Sequence, residues 1–375
     1  MFMISISILF FFYLLIISLL SYGFDKVNKF STKNHFPRTK FTVVVPYRNE
    51  AVNLPELLHS IAELNYPTSL VDFIFVDDDS NDNSTAIIHE YTKENDSKIK
   101  VISNERISNS PKKDAITLAI KTTTNDWILT TDADCILSKN WLITIDNYIQ
   151  EYNCNMLVAP VTYQTNNSFL HQFQFLDFLS LQASTVGGFG IRKPFLSNGA
   201  NLAYKKEIFT KVDGFENNYS IASGDDIFLL EKFIQLDKTK VKYLKSFDAI
   251  VKTQPVNTTN DLIQQRVRWA SKSAKYKLPF GKIIGIIILF GNMIIALSPV
   301  LYLYNYISIY AFIGYFLMKL FFDFLLIERM SKFYKQPIAV GSYLASSIVY
   351  PYFTILVFFI SLFGNYQWKG RDFKK

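Results

Sequence analysis

Residues 71–79 read VDFIFVDDD, a run of β-branched and aromatic residues that ends in three aspartates. The pattern recurs at 127–134, WILTTDAD, where an apolar run ends in Asp132 and Asp134. Short runs of this kind are typical of buried strands in a parallel sheet. Ligands on such sheets bind beyond the carboxyl ends of the strands. Both acidic clusters are therefore predicted to lie at the ligand-binding edge of one sheet.

Helices and further strands alternate with these runs. Strands are predicted at 41–45 (FTVVV) and 99–103, and helices at 84–94 and 112–121. Another helix is indicated by apolar residues at helical spacing, namely Leu54, Leu57, Leu58, Ile61 and Leu64. The alternation predicts an α/β fold with a parallel sheet.

The chain begins with an apolar segment. Residues 3–22 carry no charge over a length that can cross a bilayer, which takes about 20 residues. The start has no basic residue and no small-residue cleavage site follows, so the sequence favours an uncleaved anchor at 1–24 over a signal peptide. Basic residues that follow a first span tend to stay in the cytosol, which predicts a cytosolic domain at 41–275. They are Lys26, Lys29, Lys33, Arg38 and Lys40.

The chain also ends in apolar segments. They lie near 283–303, 306–327 and 337–364. We expect a membrane region at 280–375 with two to four segments. Three full crossings would place the basic loop at 328–335 and the basic tail at 369–375 on opposite sides, whereas the positive-inside rule places both in the cytosol. A re-entrant or broken last stretch, which contains Pro351, is the alternative.

Composition narrows the class of protein. The net charge of +7 fits contact with anionic lipid headgroups at the inner face of a cell membrane. Cys135 and Cys154 are too few for a disulfide framework, and a cytosolic domain would keep them reduced. The expected protein is a multi-pass integral membrane protein.

Asp132 and Asp134 are two residues apart after a predicted strand. Their hard oxygen ligands suit Mg²⁺ or Mn²⁺, which usually take one or two carboxylates plus substrate phosphates and water. An acidic turn or a helix cap is the ordinary alternative. In this α/β context we predict that Asp134 and Asp132 bind a divalent metal ion.

The aspartates at 77–79 repel one another and need a cation or hydrogen-bond donors. Asp82 and Ser84, which follow them, are plausible helix caps. Lys112 opens a predicted helix and can supply positive charge to a diphosphate, although an isolated lysine is more often a solvated surface residue.

Asp225 and Asp226 precede an apolar helix. The helix dipole stabilises carboxylates there, so capping is one explanation. The functional explanation is that one of the two aspartates is a general base that removes a proton from an acceptor hydroxyl. Gly-Asp-Asp also occurs in nucleic-acid polymerases, where it lies on a hairpin in a soluble domain, unlike this setting. We expect no nucleic-acid partner.

Gln265, Arg268 and Trp269 are spaced i, i+3 and i+4, which places them on one helix face. An arginine can stabilise a departing diphosphate, and an indole offers a flat surface for a sugar or base. A tryptophan anchored at the membrane interface is the alternative.

Taken in order, these motifs resemble the membrane-bound family 2 glycosyltransferases, which include polysaccharide synthases and lipid glycosyltransferases. The resemblance covers roughly 41–270. It implies a GT-A domain, the Rossmann-like fold of nucleotide-diphospho-sugar transferases, flanked by transmembrane helices. The matching segments are VVVPYRNE, VDDDS, KKDAI, TDADC, SNGANLAY, GFEN, SGDDIFLL and QQRVRW.

The resemblance also implies roles for the donor-binding residues. Asp78 matches the aspartate that reads a uracil base, and Lys112 a lysine near the nucleotide. Asp132 and Asp134 match the D-x-D that binds the ribose or diphosphate and the metal. The loop around the nucleoside is matched by Pro46, Arg48 and Glu50.

The remaining matches concern the transfer step. Asp226 matches the catalytic base, with Asp225 in place of a frequent glutamate before it. The Q-x-x-R-W motif, which grips the diphosphate beside the acceptor, is matched by Gln265, Arg268 and Trp269. Asn198, Gly199 and Asn201 match the loop near the donor sugar. Asp79 replaces a common glycine and adds negative charge near the diphosphate.

We therefore expect an inverting hexosyltransferase of class EC 2.4 that uses a nucleotide sugar, expected to be UDP-linked, and Mg²⁺ or Mn²⁺. The expected acceptor is a membrane lipid or a lipid-linked glycan. A processive β-polysaccharide synthase is one alternative, and a non-catalytic membrane protein that binds nucleotide sugars is another. The sequence does not choose the sugar.

Overall fold

A computed structural model describes residues 2–33, 35–94, 98–219, 221, 223–363, 366–369 and 371–373. The strands are β1 (Phe41–Tyr47), β2 (Val71–Asp77), β3 (Ile99–Ser103), β4 (Trp127–Thr130), β5 (Met156–Val158), β6 (Val161–Tyr163), β7 (Leu202–Lys205), β8 (Val241–Tyr243), β9 (Val251–Thr253), β10 (Tyr366–Trp368) and β11 (Arg371–Phe373). The helices are α1 (Phe2–Lys26), α2 (Leu54–Ala62), α3 (Ser84–Glu94), α4 (Pro111–Thr122), α5 (Trp141–Glu151), α6 (Phe169–Gly190), α7 (Lys206–Lys211), α8 (Asp225–Asp237), α9 (Thr259–Ser271), α10 (Pro279–Leu303), α11 (Ile309–Tyr334) and α12 (Val340–Phe363).

Seven strands form one sheet in the order β3-β2-β1-β4-β7-β5-β8. The four strands that the sequence predicts, β1 to β4, are present, and β1 pairs in parallel with both β2 and β4. This mixed α/β sheet confirms the predicted fold class.

The sheet is not wholly parallel, because β7 runs antiparallel to β4 and β5. Leu202, at the start of β7, pairs with Thr130, at the end of β4. The chain therefore enters β7 from the carboxyl edge of β4. This entry point brings the preceding residues, Asn198 and Gly199, to the same edge as the acidic clusters.

Among the residues that the structure describes, four helices are long and apolar enough to cross a membrane, namely α1, α10, α11 and α12. The last of them is one continuous helix with Pro351 inside it, and not a broken hairpin. Proline is tolerated in such helices because neighbouring groups satisfy the freed backbone carbonyl.

Both ends of α12 lie beside the α/β domain. Before the helix, the Gln336 side chain donates to the Tyr163 carbonyl at 3.1 Å. After it, Lys369 pairs with Glu50 at 2.5 Å. A helix of 24 residues is about 36 Å long, so α12 runs along the domain. The loop before α12 and the hairpin after it therefore both contact the α/β domain.

Glycines allow α1 and α6 to cross so closely that their backbones are in contact. A Cβ added to Gly187 would lie 2.3 Å from the Leu20 carbonyl oxygen, and one added to Gly190 would lie 1.7 Å from the Gly23 carbonyl oxygen. Small residues at helix crossings are a common means of packing helices closely within membranes. This crossing joins α1 to α6 of the α/β domain.

We expect Gly190→Ala to lower the midpoint of thermal unfolding, because the added methyl group forces α1 and α6 apart and overpacking costs about 1–3 kcal/mol. The measurement is size-exclusion chromatography of the detergent-solubilised protein after heating. Gly314→Ala on α11 is the matched control, since its Cβ would meet nothing within 4 Å. Equal midpoints for the two variants would contradict the close crossing.

Candidate active site

A cleft of about 750 Å³ opens at the carboxyl edge of β1, β2 and β4. Twelve of the residues that the sequence selects lie in its lining: Pro46, Arg48, Glu50, Asp78, Lys112, Asp132, Asp134, Asp225, Asp226, Gln265, Arg268 and Trp269. Asn198 and Gly199 line it as well. Asn201 does not, because its buried side chain accepts a hydrogen bond from the Trp141 indole and supports the loop from behind.

Asp78 is buried at the end of β2 and surrounded by donors. Its Oδ1 accepts from Arg106 Nε at 2.7 Å and from the Asn104 amide at 2.8 Å. Arg48 donates to the Asp78 carbonyl at 2.7 Å. Cations that surround a buried carboxylate compensate for its lost hydration.

Asp79 does not line the cleft, and its side chain is 78 % exposed. A hydrogen bond from Arg48 and the charge of Arg106 lower its pKa. Its φ of 63° explains why glycine is common at this position. The Asp79 carboxylate, which we expected to add negative charge near the diphosphate, therefore lies at the solvent-exposed surface.

Asp132 and Asp134 lie on the turn after β4. Lys112 Nζ donates to Asp132 Oδ1 at 2.5 Å. Burial, followed by the charges of Asp132 and Glu50, raises the pKa of Asp134 to about 6. Crowded buried carboxylates favour a proton or a cation between them.

The carboxylates at this turn fit a metal ion that arrives bound to the nucleotide better than one held by the protein alone. Within the described ranges, no group of three or more His, Cys, Asp or Glu side chains is arranged to hold a metal ion. Two carboxylates would leave positions for phosphate oxygens and water, which is the usual coordination of Mg²⁺ beside a nucleotide.

Asp225 and Asp226 begin α8 and face the cleft. The Ile227 N–H donates to Asp226 Oδ1 at 2.8 Å, and Lys272 Nζ lies 3.5 Å from the same oxygen. Burial favours the neutral form of Asp225, but the charges of Lys112, Lys272 and Lys113 outweigh burial and lower its pKa.

Gly199 lets the loop before β7 approach this pair. A Cβ on Gly199 would lie 2.8 Å from Asp225 Oδ2 and 3.3 Å from Lys112 Nζ. Lys112 also lies 3.5 Å from Asp225, so one ammonium group bridges the two acidic clusters. Although burial disfavours the charged lysine, the charges of Asp132, Asp225 and Asp226 raise the pKa of Lys112.

The Q-x-x-R-W motif lies on α9, across the cleft from the sheet. Arg266, which follows Gln265 of the motif in the sequence, forms a buried ion pair with Asp177 of α6 at 2.6 Å. The Arg266 guanidinium also lies 4.2 Å from the centre of the Trp269 ring. These contacts fix the orientation of α9 against α6.

Sequence reasoning missed several charged residues that line the cleft or pair with its lining. Lys272 follows Arg268 by four residues, and this helical spacing was an available signal. Asp177 is a single acidic residue within the apolar run FQFLDFLSL, and an isolated acid in such a run was a second available signal. Arg106 had no comparable signal.

The C-terminal hairpin of β10 and β11 also reaches this site. Arg371 donates to Asp78 Oδ2 at 2.7 Å, and Lys369 to Glu50 Oε1 at 2.5 Å. Both carboxylate oxygens of Asp78 are therefore occupied by protein donors. No local sequence pattern indicates contacts between residues about 300 positions apart.

Comparison with known proteins agrees with this fold and site. Residues 42–209 match the family described as glycosyl transferase family 2. Residues 127–365, more than half of the chain, match glycosyl transferase family group 2. The chain belongs to glycosyl transferase family group 2.

Curated relatives match parts of the chain. Poly(ribitol-phosphate) beta-N-acetylglucosaminyltransferase TarS of Staphylococcus aureus is 30 % identical over 122 residues, which are 32 % of this chain and 21 % of that protein. Beta-monoglucosyldiacylglycerol synthase of Trichormus variabilis is 24 % identical over 235 residues, which are 61 % of this chain and 48 % of that protein. The chain thus spans less than half the length of either relative.

A solved structure shares the fold over nearly the whole chain. It is the mannosyltransferase PcManGT from Pyrobaculum calidifontis in complex with GDP-Man and Mn²⁺, with a TM-score of 0.59 and 16 % identity. The alignment covers 96 % of this chain and 97 % of that one.

We expect Mn²⁺ together with UDP to raise the midpoint of thermal unfolding, because the cation relieves repulsion between the Asp132 and Asp134 carboxylates. Asp134→Asn should abolish the rise that depends on Mn²⁺. Asp126→Asn is the control, since Asp126 is exposed and lies at the other end of β4. A full rise in Asp134→Asn would exclude that residue as a ligand.

We expect Arg371→Ala to tighten UDP binding several-fold, because it frees one oxygen of Asp78 for the base. Isothermal titration calorimetry measures the change. Arg38→Ala removes the same charge from an exposed position outside the cleft and should leave UDP affinity unchanged. Weaker binding in Arg371→Ala would mean that the hairpin holds the nucleotide instead of competing with it.

Proposed function

We propose that the protein is an inverting glycosyltransferase that moves a sugar from a UDP-sugar to a lipid at the cytosolic face of the cell membrane. One observation carries this proposal. Asp78, Asp134 and Asp226 line one cleft whose opposite wall is formed by the apolar helices α10 and α12.

The donor binds first in this scheme. Pro46, Arg48 and Glu50 surround the nucleoside, and Asp78 accepts a hydrogen bond from the base once Arg371 leaves its Oδ2. Lys112 and Arg268 face the diphosphate and offset the charge that develops on it as the sugar departs. Asp134 and Asp132 would hold Mg²⁺ or Mn²⁺, which supplies further positive charge to the leaving diphosphate.

Asp226 acts as the general base. It removes the proton from the acceptor hydroxyl, whose oxygen attacks the anomeric carbon as the bond to the diphosphate breaks. The hydrogen bond from the Ile227 N–H holds the carboxylate in place. A single displacement on an α-linked donor yields a β-glycoside and UDP.

The apolar end of the cleft supports a lipid acceptor. It is lined by Ile286 and Leu289 of α10 and by Phe353, Val357 and Phe358 of α12. Ile286 is 54 % exposed on a helix that qualifies as a membrane span, so the cleft borders the hydrocarbon region. A lipid hydroxyl can therefore approach Asp226 while its chains stay between the helices.

The position of the basic segments supports the cytosolic orientation. The loop before α12 and the hairpin after it both contact the α/β domain. Basic segments beside membrane helices are enriched on the cytosolic side.

The test of the whole proposal is an assay of the full-length detergent-solubilised protein. It receives a panel of nucleotide sugars with Mn²⁺ and membrane lipids, and UDP release and product mass are measured. A lipid that gains the mass of one sugar supports the proposal. Long polymer would indicate a polysaccharide synthase, and no product with any donor would indicate a non-catalytic protein.

We expect Asp226→Asn to lower the turnover number at least 100-fold, because an amide cannot accept the proton and general-base catalysis contributes about 10²–10⁴-fold. UDP affinity should stay near that of the unaltered protein. Asp237→Asn, at the far end of α8 and outside the cleft, is the control and should keep full turnover. Retained turnover in Asp226→Asn would refute the assignment of the base.

A further inference from the structure

A second cavity of about 290 Å³ lies inside the helix bundle, beside the active-site cleft. It is enclosed by α1, α6, α10, α11 and α12. Ser273, Tyr276 and Tyr350 line both this cavity and the cleft, so the two spaces adjoin. We call it the bundle cavity.

An ion pair lies in its wall near the middle of α11. Lys319 Nζ donates to Asp323 Oδ2 at 2.5 Å, and the Lys319 side chain is only 6 % exposed. The Tyr13 hydroxyl of α1 donates to the other oxygen of Asp323 at 2.5 Å. Ionisable residues within membrane helices are costly and commonly mark functional sites.

Two polar atoms of the bundle cavity have no partner in the described part of the chain. They are Asn292 Oδ1 on α10 and Ser346 Oγ on α12, and both residues are more than nine-tenths buried. Asn292 Nδ2 donates to the Ile288 carbonyl at 2.8 Å, and this bond fixes which end of the amide is the oxygen. A buried unpaired acceptor costs about 1–3 kcal/mol, so a ligand donor at this place would relieve it.

The charges around the bundle cavity cancel. Its charged lining residues are Asp177, Lys319 and Asp323. Asp177 pairs with Arg266, and Lys319 with Asp323. A phosphate group would enter without a free cation among these residues, and burying an unpaired charge is strongly unfavourable.

We propose that the bundle cavity binds the polar part of a neutral acceptor lipid that carries a second hydrogen-bond donor, an amide N–H or a hydroxyl, beside the reacting hydroxyl. Asn292 Oδ1 accepts from that donor, and Ser346 donates to the acyl carbonyl. Ceramides and monoacylglycerols have such a donor. Diacylglycerols lack it, and polyprenyl phosphates are charged. This inference rests on the proposed function, of which it specifies the acceptor.

The test is native mass spectrometry of the full-length protein released from micelles that contain one lipid at a time, without a donor. The four lipids are ceramide, monooleoylglycerol, dioleoylglycerol and undecaprenyl phosphate. We expect ceramide, monooleoylglycerol or both to bind about fivefold more than dioleoylglycerol, the change that one hydrogen bond brings, and undecaprenyl phosphate to bind least.

Single substitutions test whether Asn292 and Ser346 determine the lipid preference. Asn292→Leu should bind dioleoylglycerol and the preferred lipid equally, and folding should persist because an unpaired polar atom is removed. Ser346→Ala removes only a hydroxyl group. Because that hydroxyl is proposed to donate to the acyl carbonyl, this variant should bind ceramide, monooleoylglycerol and dioleoylglycerol more weakly. Ser298→Ala is the control: its hydroxyl donates to Ile295 of its own helix at 2.8 Å, and it lines neither space.

Equal binding of ceramide, monooleoylglycerol and dioleoylglycerol by the unaltered protein would overturn the inference, as would preference for the phosphate or unchanged selectivity in Asn292→Leu. These results do not require turnover. The absence of UDP release in the transfer assay would instead count against the proposed function, so the two failures are distinguishable.

Discussion

Repulsion among the carboxylates that line one cleft is the constraint around which the rest of the site is arranged. Asp78 and Asp134 follow β2 and β4, which end at the same edge of the sheet, and Asp225 begins α8 beside the same cleft. Their charges are compensated by Arg106, Lys112 and other cations from distant parts of the chain. The electrostatic balance of the site therefore depends on the tertiary fold.

The same need for compensation links the α/β domain to the membrane helices. Asp177 of α6 accepts from Arg266 of α9 and from the Tyr350 hydroxyl of α12 at 3.0 Å. One carboxylate thus fixes the helix that carries the Q-x-x-R-W motif and the helix that lines the apolar part of the cleft. A nucleotide in the cleft and a lipid between the helices would share this support, since α9 and α12 border both.

The C-terminal hairpin supplies two cations to the sheet-edge side of the cleft. Arg371 and Lys369 neutralise Asp78 and Glu50, the residues assigned to the nucleoside. The hairpin follows α12 directly, so these ion pairs also connect that helix to the edge of the sheet.

The sequence by itself determined the α/β class, the apolar helices and the residues that line the cleft, because strand ends, helical spacing and acidic clusters are local patterns. It did not determine the antiparallel course of β7, the return of α12 to the α/β domain, or the contacts of Lys272, Arg106 and Arg371. Those features arise where segments far apart in the chain meet. Ion pairing and burial between such segments depend on their relative placement, which only the packed structure decides.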